Sequence, residues 1–252
     1  MILRSTTAFA RISKTTILLG VVFFAFLAGE VSAQKKFSKT YTAGQNVRLT
    51  LLNRSGTVTV EGWNRPEISI SATLEKPAAS IVPQTLSGTI LINLVRDNQG
   101  REIGNVNFTI RVPYSAMVDI ETMVGNLTVS NIQSGLVRAH ITSDGDITLM
   151  NIVASAVAAD NGIGDIFFDG EIQDNGNYRF TSRLGTINLR IPINSSFSLV
   201  ATAPSTRNIS LGPFANPNFK FGDGRRIVGR FGTGSATLAV TNQRGSIAFL
   251  RR

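Results

Sequence analysis

"TSDGDITLMN" occupies residues 142–151. "TMVGNLTVSN" stands at 122–131 and "NGIGDIFFDG" at 161–170. Each stretch has a polar residue, a glycine three positions later, a small polar residue after the glycine, and then two apolar residues separated by one. Aligned on the glycine, the pattern returns in "NRSGTVTV" (Gly56), "SRLGTINL" (Gly185) and "NQRGSIAF" (Gly245). The alternating apolar pairs are Val58/Val60, Leu127/Val129, Ile147/Leu149, Ile166/Phe168, Ile187/Leu189 and Ile247/Phe249. "STRNISL" is a degenerate seventh copy, with Ile209 and Leu211 but Arg207 in the place of the glycine.

Gly125, Gly145, Gly164 and Gly185 are 20, 19 and 21 residues apart. A fixed period near 20 is the signature of a stacked repeat. Glycine permits a corner that other residues resist. Asn, Asp, Ser and Thr beside it can hydrogen-bond the corner backbone. The apolar pair places two side chains on one side of a strand. One such coil cannot bury its own apolar face, so coils must stack.

A second strand precedes each corner. Val118/Ile120, Val157/Ala159, Tyr178/Phe180 and Leu238/Val240 stand seven and five residues before their glycines. In the remaining central coil those positions hold Arg138 and His140. Burying that pair would be costly. A local bulge resolves the conflict by turning Val137, Ala139 and Ile141 inward and Arg138 and His140 outward. The only histidine is then a surface strand residue. The fold class expected is all-β: a single-stranded-type β-solenoid with coils of about 20 residues, preceded by an N-terminal run of strands.

The chain opens with "MILRSTTAFARISKTT", which carries Arg4, Arg11 and Lys14 and no acid. An uncharged apolar run, Ile17 to Gly29, and "EVSAQ" follow. The run is short for a bilayer span, and the pattern is that of a signal peptide cut after Ala33. The expected organisation is a signal peptide at 1–33 and an all-β domain at 34–252, which the family resemblance described below marks as adhesin-like. Within the latter, 34–120 supplies N-terminal strands and 121–252 the glycine-corner stack, with a basic insertion at 203–232. No integral membrane segment is expected in the mature chain. Export places it in the periplasm, on the outer surface or outside the cell.

Removal of residues 1–33 leaves 22 basic and 15 acidic residues. The chain has no cysteine. That removes disulfides, thiolate metal sites and cysteine nucleophiles, so packing and backbone ladders must supply stability.

The sequence resembles a family of exported bacterial adhesin-like domains of unknown function, built as a β-solenoid or β-prism. The resemblance rests on "VRLTLLNRSGTVTVEGW", "NFTIRVPYSAMVDIETMVGNLTVSNI", the glycine repeats and the closing "ATLAVTNQRGSIAFL". It implies an exported envelope or surface protein with no established catalytic residues, so no site residue is carried over.

Three functions compete. A non-catalytic envelope or surface module for adhesion, assembly or scaffolding needs only the stack and its outward residues, among them Thr59, Thr128 and Thr148. A polysaccharide-active enzyme would use Asp146 and Asp165, which adjacent coils should bring near the roughly 5 Å carboxylate spacing of retaining glycosidases. With Asp144 and Asp160, the same aspartates form a weak calcium candidate, although turn chemistry accounts for them without an ion. An anionic-polymer module would bind glycan, lipopolysaccharide or nucleic acid through Lys220, Arg225, Arg226 and Arg230, interleaved with Phe214, Phe219, Phe221 and Phe231. The competing role for that segment is a cap on the open end of the stack. No cofactor is expected. The sequence identifies no partner; an envelope protein and an acidic glycan are the candidates.

Overall fold

The computed structural model describes residues 34–44 and 46–252. The expected signal peptide and its cleavage site after Ala33 lie outside the described residues. Residues Lys35–Arg252 form one compact unit. Along the chain run β1 (Lys35–Thr42), β2 (Arg48–Leu52), β3 (Val58–Trp63), β4 (Glu67–Leu74), β5 (Gln84–Leu86) and β6 (Thr89–Asn93). One helical turn, α1 (Leu94–Asp97), follows. Then come β7 (Val106–Pro113), β8 (Met117–Val124), β9 (Leu127–Asp144), β10 (Ile147–Ile163), β11 (Ile166–Glu171) and β12 (Asn177–Ile191). The chain closes with β13 (Phe197–Thr202), β14 (Ile209–Ser210), β15 (Lys220–Gly222), β16 (Arg226–Phe231) and β17 (Ala236–Arg251).

The strands join one continuous hydrogen-bonded sheet that is wound into coils. The first face is built from the segments that follow the corner glycines. Its order is β1, β4, β7, β3, β9, β10, β11, β12, β17, β14. The second face is built from the segments that precede them. Its order is β5, β6, β2, β8, β9, β10, β12, β17, β13, β16, β15. The long strands β9, β10, β12 and β17 contribute to both faces. Neighbouring coils pair in parallel, whereas β1, β4, β5, β15 and β16 pair antiparallel at the two ends.

The core is the repeat made solid. Val58, Leu127, Ile147, Ile166, Ile187 and Ile247 stand in one register column, and all are buried. On the second face Val118, Val137, Val157, Tyr178 and Leu238 form the facing column, also buried. The bulge expected in β9 is present. Ala159 pairs with Ala139 and Asn161 with Ile141, and then Ile163 pairs with Asp144, so β9 carries one extra residue. Val137, Ala139 and Ile141 are buried, and His140 faces outward with its Nδ1 3.7 Å from Glu121 Oε2.

Glycine is required at the corner for two reasons. At Gly145 and Gly164 φ is +146° and +124°, which side-chain-bearing residues rarely adopt. A Cβ at Gly145 would also strike the carbonyl oxygen of Gly125, and one at Gly164 that of Gly145. The glycines are therefore stacked on one another's backbone. Buried beside them, Asn161 Nδ2 donates to the Gly145 carbonyl at 2.8 Å and Asn242 Nδ2 to the Gly185 carbonyl at 2.8 Å.

The stacking order departs from the sequence order at both ends. The coil formed by β2 and β3 lies between that of β6–β7 and that of β8–β9. The division expected at residue 120/121 therefore corresponds to no boundary: β8 runs across it, and residues 48–63 are an inner coil. Likewise β17 lies between β12 and the β13–β14 coil. The expected basic insertion at 203–232 thus contains the end of the outermost coil and the antiparallel cap. The degenerate copy is part of that coil: Ile209 pairs with Ile247, and Arg207 takes φ +56° where the other copies have glycine.

Candidate functional site

The four aspartates do not converge. Asp146 and Asp165 sit on the glycine corner as rungs of a ladder. Asp146 N–H donates to Asn126 Oδ1 at 3.0 Å, Asp165 N–H to Asp146 Oδ1 at 2.8 Å, and Thr186 N–H to Asp165 Oδ1 at 2.7 Å. Each side chain thus satisfies the backbone of the next coil. Asp160 lies on the outer surface of the second face and is paired with Arg179 at 3.1 Å. Asp144 lies at the exposed corner beside the bulge. Among the described residues no group of three or more His, Cys, Asp and Glu is placed to hold a metal ion.

The middle of the second face carries charges that compensate one another. Asp119 lies 3.1 Å from Arg138 and 3.9 Å from Arg48, and Glu121 lies 3.5 Å from Arg138. The C-terminal end is different. Residues 175–252 hold eleven Lys and Arg against the single acid Asp223. Three of these cations are paired. Arg179 reaches Asp160, Arg190 reaches Asp169 at 2.6 Å, and Arg252 reaches Asp169 at 3.2 Å and Glu171 at 3.7 Å. The hydrogen bond and charge of Asp169 raise the Arg190 pKa above its usual value. Among the described residues Arg183, Arg207, Lys220, Arg225, Arg226, Arg230, Arg244 and Arg251 have no ion-pair partner.

The fold gathers most of these unpaired cations. Ile227 is buried, so its neighbours Arg226 and Val228 alternate outward with Arg230 along β16. Lys220 pairs in register with Val228 on the adjoining β15. Arg225 closes the turn between them, where Asp223 and Gly224 take positive φ. A methyl at Gly224 would lie 3.7 Å from Arg207 Cβ, which puts the degenerate corner beside this turn. Arg183 and Arg244 line a shallow cleft of about 310 Å³ at the glycine corner, together with Ile163, Leu184 and Gln243. The four candidates expected from sequence are thus brought together, and all are exposed. Arg183, Arg207 and Arg244 were not singled out. They lie outside the 220–230 segment; the stacking sets Arg183 and Arg244 side by side on β12 and β17, and Arg207 beside the β15–β16 turn. The signal that could have found them is the charge imbalance of residues 175–252.

The aromatic half of that motif behaves differently. Phe214 and Phe219 are buried, and Phe231 is half-buried. Phe214 and Phe231 pack with Phe197 and Phe249 at ring separations of 5.1–6.4 Å. Only Phe221 is exposed, at 62%. The segment is therefore an end cap with a cationic outer surface.

With the coils, corners and caps in view, the comparison with known families is decisive. Residues 27–249 match Toastrack DUF4097. The chain belongs to that family. No curated protein matches its sequence. Among solved structures it is similar to a "putative cell adhesion protein" of Clostridium sporogenes ATCC 15579. That protein is 12% identical, with a TM-score of 0.51 over 87% of this chain and 100% of the other. It also aligns with a "putative adhesin" of Bacteroides fragilis NCTC 9343 at 8% identity and a TM-score of 0.37, covering 87% and 98% of the two chains. At such identities the first likeness speaks to the fold alone. Among the described residues no helix is long and apolar enough to cross a membrane.

Proposed function

We propose that this chain is an exported, non-catalytic module of the bacterial envelope or cell surface, adhesin-like, serving adhesion, assembly or scaffolding. The observation that carries the reading is the regular outer surface of the stack. On the first face Thr109, Thr59, Thr128 and Thr148 stand in one register row on four successive strands, followed by Phe167 and Asn188. Such a row repeats at about 4.8 Å. It presents a rigid, extended surface of the kind suited to holding another polymer or protein.

Two further points support the reading. The aspartates considered for hydrolysis are engaged by backbone amides. The name of the Clostridium sporogenes protein with the same fold refers to cell adhesion. The test is expression of the full chain in a bacterium, with envelope fractionation and mass spectrometry of the product. The expected product begins at Gln34 and is recovered outside the cytoplasm. A cytoplasmic product retaining Met1 would sink the proposal.

A further inference from the structure

We infer that the outer surface of the C-terminal end of the stack, running from Arg183 and Arg244 at the glycine corner to Arg226 and Arg230 on β16, binds an acidic polysaccharide. The ligand class is one bearing carboxylate, sulfate or phosphate groups along a hydroxyl-rich chain. The inference deepens the adhesin-like reading by naming what the module holds.

The first ground is charge. Cations without acidic partners repel one another, and among the described residues only Arg183 of the eight unpaired cations makes a side-chain hydrogen bond, to the Thr142 carbonyl at 3.0 Å. Elsewhere on the same face the charges are paired, as Arg138 with Asp119 and Arg179 with Asp160. On this face the excess therefore lies on consecutive strands at one end.

The second ground is spacing. β12, β17, β13 and β16 are successive neighbours on the second face. Three strand separations set β12 roughly 14 Å from β16. Arg226 and Arg230 are four residues apart on one strand, about 13 Å. A linear polyanion crossing the strands would meet cations at intervals on both edges of this area.

The third ground is what lies between them. One register row reads Thr181, Thr241, Thr202, Arg226, and a second, four residues along, reads Asn177, Thr237, Ser198, Arg230; the row between them reads Arg179, Ala239, Val200, Val228. Amide and hydroxyl side chains between cations suit the hydroxyls and acid groups of a glycan. Nucleic-acid binders of the unspecific kind stack bases on rings. Here three of the four phenylalanines of the segment are turned into or against the core. A bilayer surface would favour a broad apolar rim, whereas the exposed aliphatic residues here are one adjacent pair, Val200 and Val228, in a row that Arg179 and Lys220 close at its two ends.

The experiment is titration of the chain beginning at Gln34 with heparin, with single-stranded DNA and with phosphatidylglycerol vesicles as competing arms. Heparin binding is expected at 50 mM salt, weakening about 100-fold by 200 mM, as release of about three counterions requires. Arg226→Ala/Arg230→Ala and Arg183→Ala/Arg244→Ala should each weaken it at least tenfold; the melting temperature should be unchanged in the first, whose side chains are exposed and unpaired, and fall only slightly in the second, where the exposed Arg183–Thr142 hydrogen bond is lost. Lys35→Ala/Lys36→Ala, on β1 at the other end of the first face, should leave it unaltered. Absence of heparin binding at 50 mM salt, binding that survives both double variants, or equal or tighter binding of DNA or vesicles would overturn the inference. Failure here with a mature N-terminus at Gln34 leaves the envelope-module reading standing; a cytoplasmic, unprocessed chain defeats that reading whatever heparin does.

Discussion

The amide of Asp165 donates to the carboxylate of Asp146 at 2.8 Å, one coil away. The same relation joins Asp146 to Asn126 and Thr186 to Asp165. Only a side-chain oxygen two bonds from Cβ is needed at these corners, not a charge. Asp165→Asn should therefore leave stability within about 0.5 kcal/mol, whereas Asp165→Ala should cost about 1 kcal/mol by orphaning the Thr186 amide. Millimolar Ca²⁺ should leave the melting temperature unmoved. A rise with Ca²⁺ that vanishes in Asp146→Asn/Asp165→Asn would show that the ladder also holds an ion.

The glycine column offers a sharper contrast. Gly164 has φ +124°, and an added methyl would collide with the Gly145 carbonyl. Gly135, at the opposite corner of its coil, has open space around its missing Cβ. Gly164→Ala should cost at least about 2 kcal/mol. Gly135→Ala should be neutral or stabilise by about 0.5 kcal/mol. Chemical denaturation of the two variants checks this, and equal midpoints would contradict the stacked-corner account.

Inside and outside alternate within a single dipeptide. Ile147 is buried between Leu127 and Ile166, while Thr148 beside it is half-exposed between Thr128 and Phe167. Ile147→Asp puts an unpaired charge in the core and should cost at least about 3 kcal/mol. Thr148→Asp should stay within about 1 kcal/mol. Matching losses in melting temperature would mean the register is shifted by one residue.

Much of this was legible in the sequence because each repeat states its own local geometry. The glycine, the polar neighbours and the apolar-x-apolar pair fix a corner and a strand without reference to any other coil. Even the bulge could be read, since Arg138 and His140 cannot occupy an inward column. The stacking order was not legible. Residues 236–251 carry the same pattern as 177–191 and 197–211, so any of these coils can lie against any other by pattern alone. Which one lies inside depends on where the connecting loops can reach. The cationic surface depended on that order, because Arg244 comes to lie beside Arg183 only once β17 is slotted between β12 and β13. The orientation of the cap phenylalanines was hidden for a different reason. Residues 214–225 lack a two-residue alternation, so nothing in the sequence separated inward from outward rings.

Tyr178 links the core to a loop. It takes a column position held by Val157 in the preceding coil, and its hydroxyl donates to the Ala154 carbonyl at 2.7 Å while accepting from Gln173 N–H at 2.8 Å. Burial, reinforced by the charge of Glu171, raises its pKa above the ordinary value of 10.0 despite the Gln173 hydrogen bond. The folded state therefore holds this proton more tightly than the unfolded chain. The contribution is complete below the unfolded pKa and is lost as pH rises toward the folded one. Stability should fall as pH rises above about 10. Tyr178→Phe should cost about 1–2 kcal/mol at pH 7 by leaving Ala154 and Gln173 unsatisfied, and its stability should decline less steeply at alkaline pH. An undiminished alkaline slope in the variant would assign that loss to other groups.

Phe219 and Phe221 lie two residues apart on opposite terms with the solvent. Phe219 is buried over Gly229, where a methyl would meet its ring and the Asn218 carbonyl. That glycine lies opposite Leu199 on β13, so the ring seals the last inward column of the second face. Phe221 is 62% exposed at the outer edge strand. A stack of this kind ends stably only if its terminal apolar column is covered. Phe219→Ala should therefore cost about 3 kcal/mol through lost burial and the cavity left behind, and Gly229→Leu should be comparably damaging because it expels the same ring. Phe221→Ala should change stability by no more than about 0.5 kcal/mol. Hydrogen exchange gives the local readout: amides of β13 and β16 should lose protection in Phe219→Ala while those of β9 and β10 keep theirs. A Phe219→Ala variant with native protection in β13 would show that the end of the stack is closed by Phe214, Phe231 and Phe249 alone.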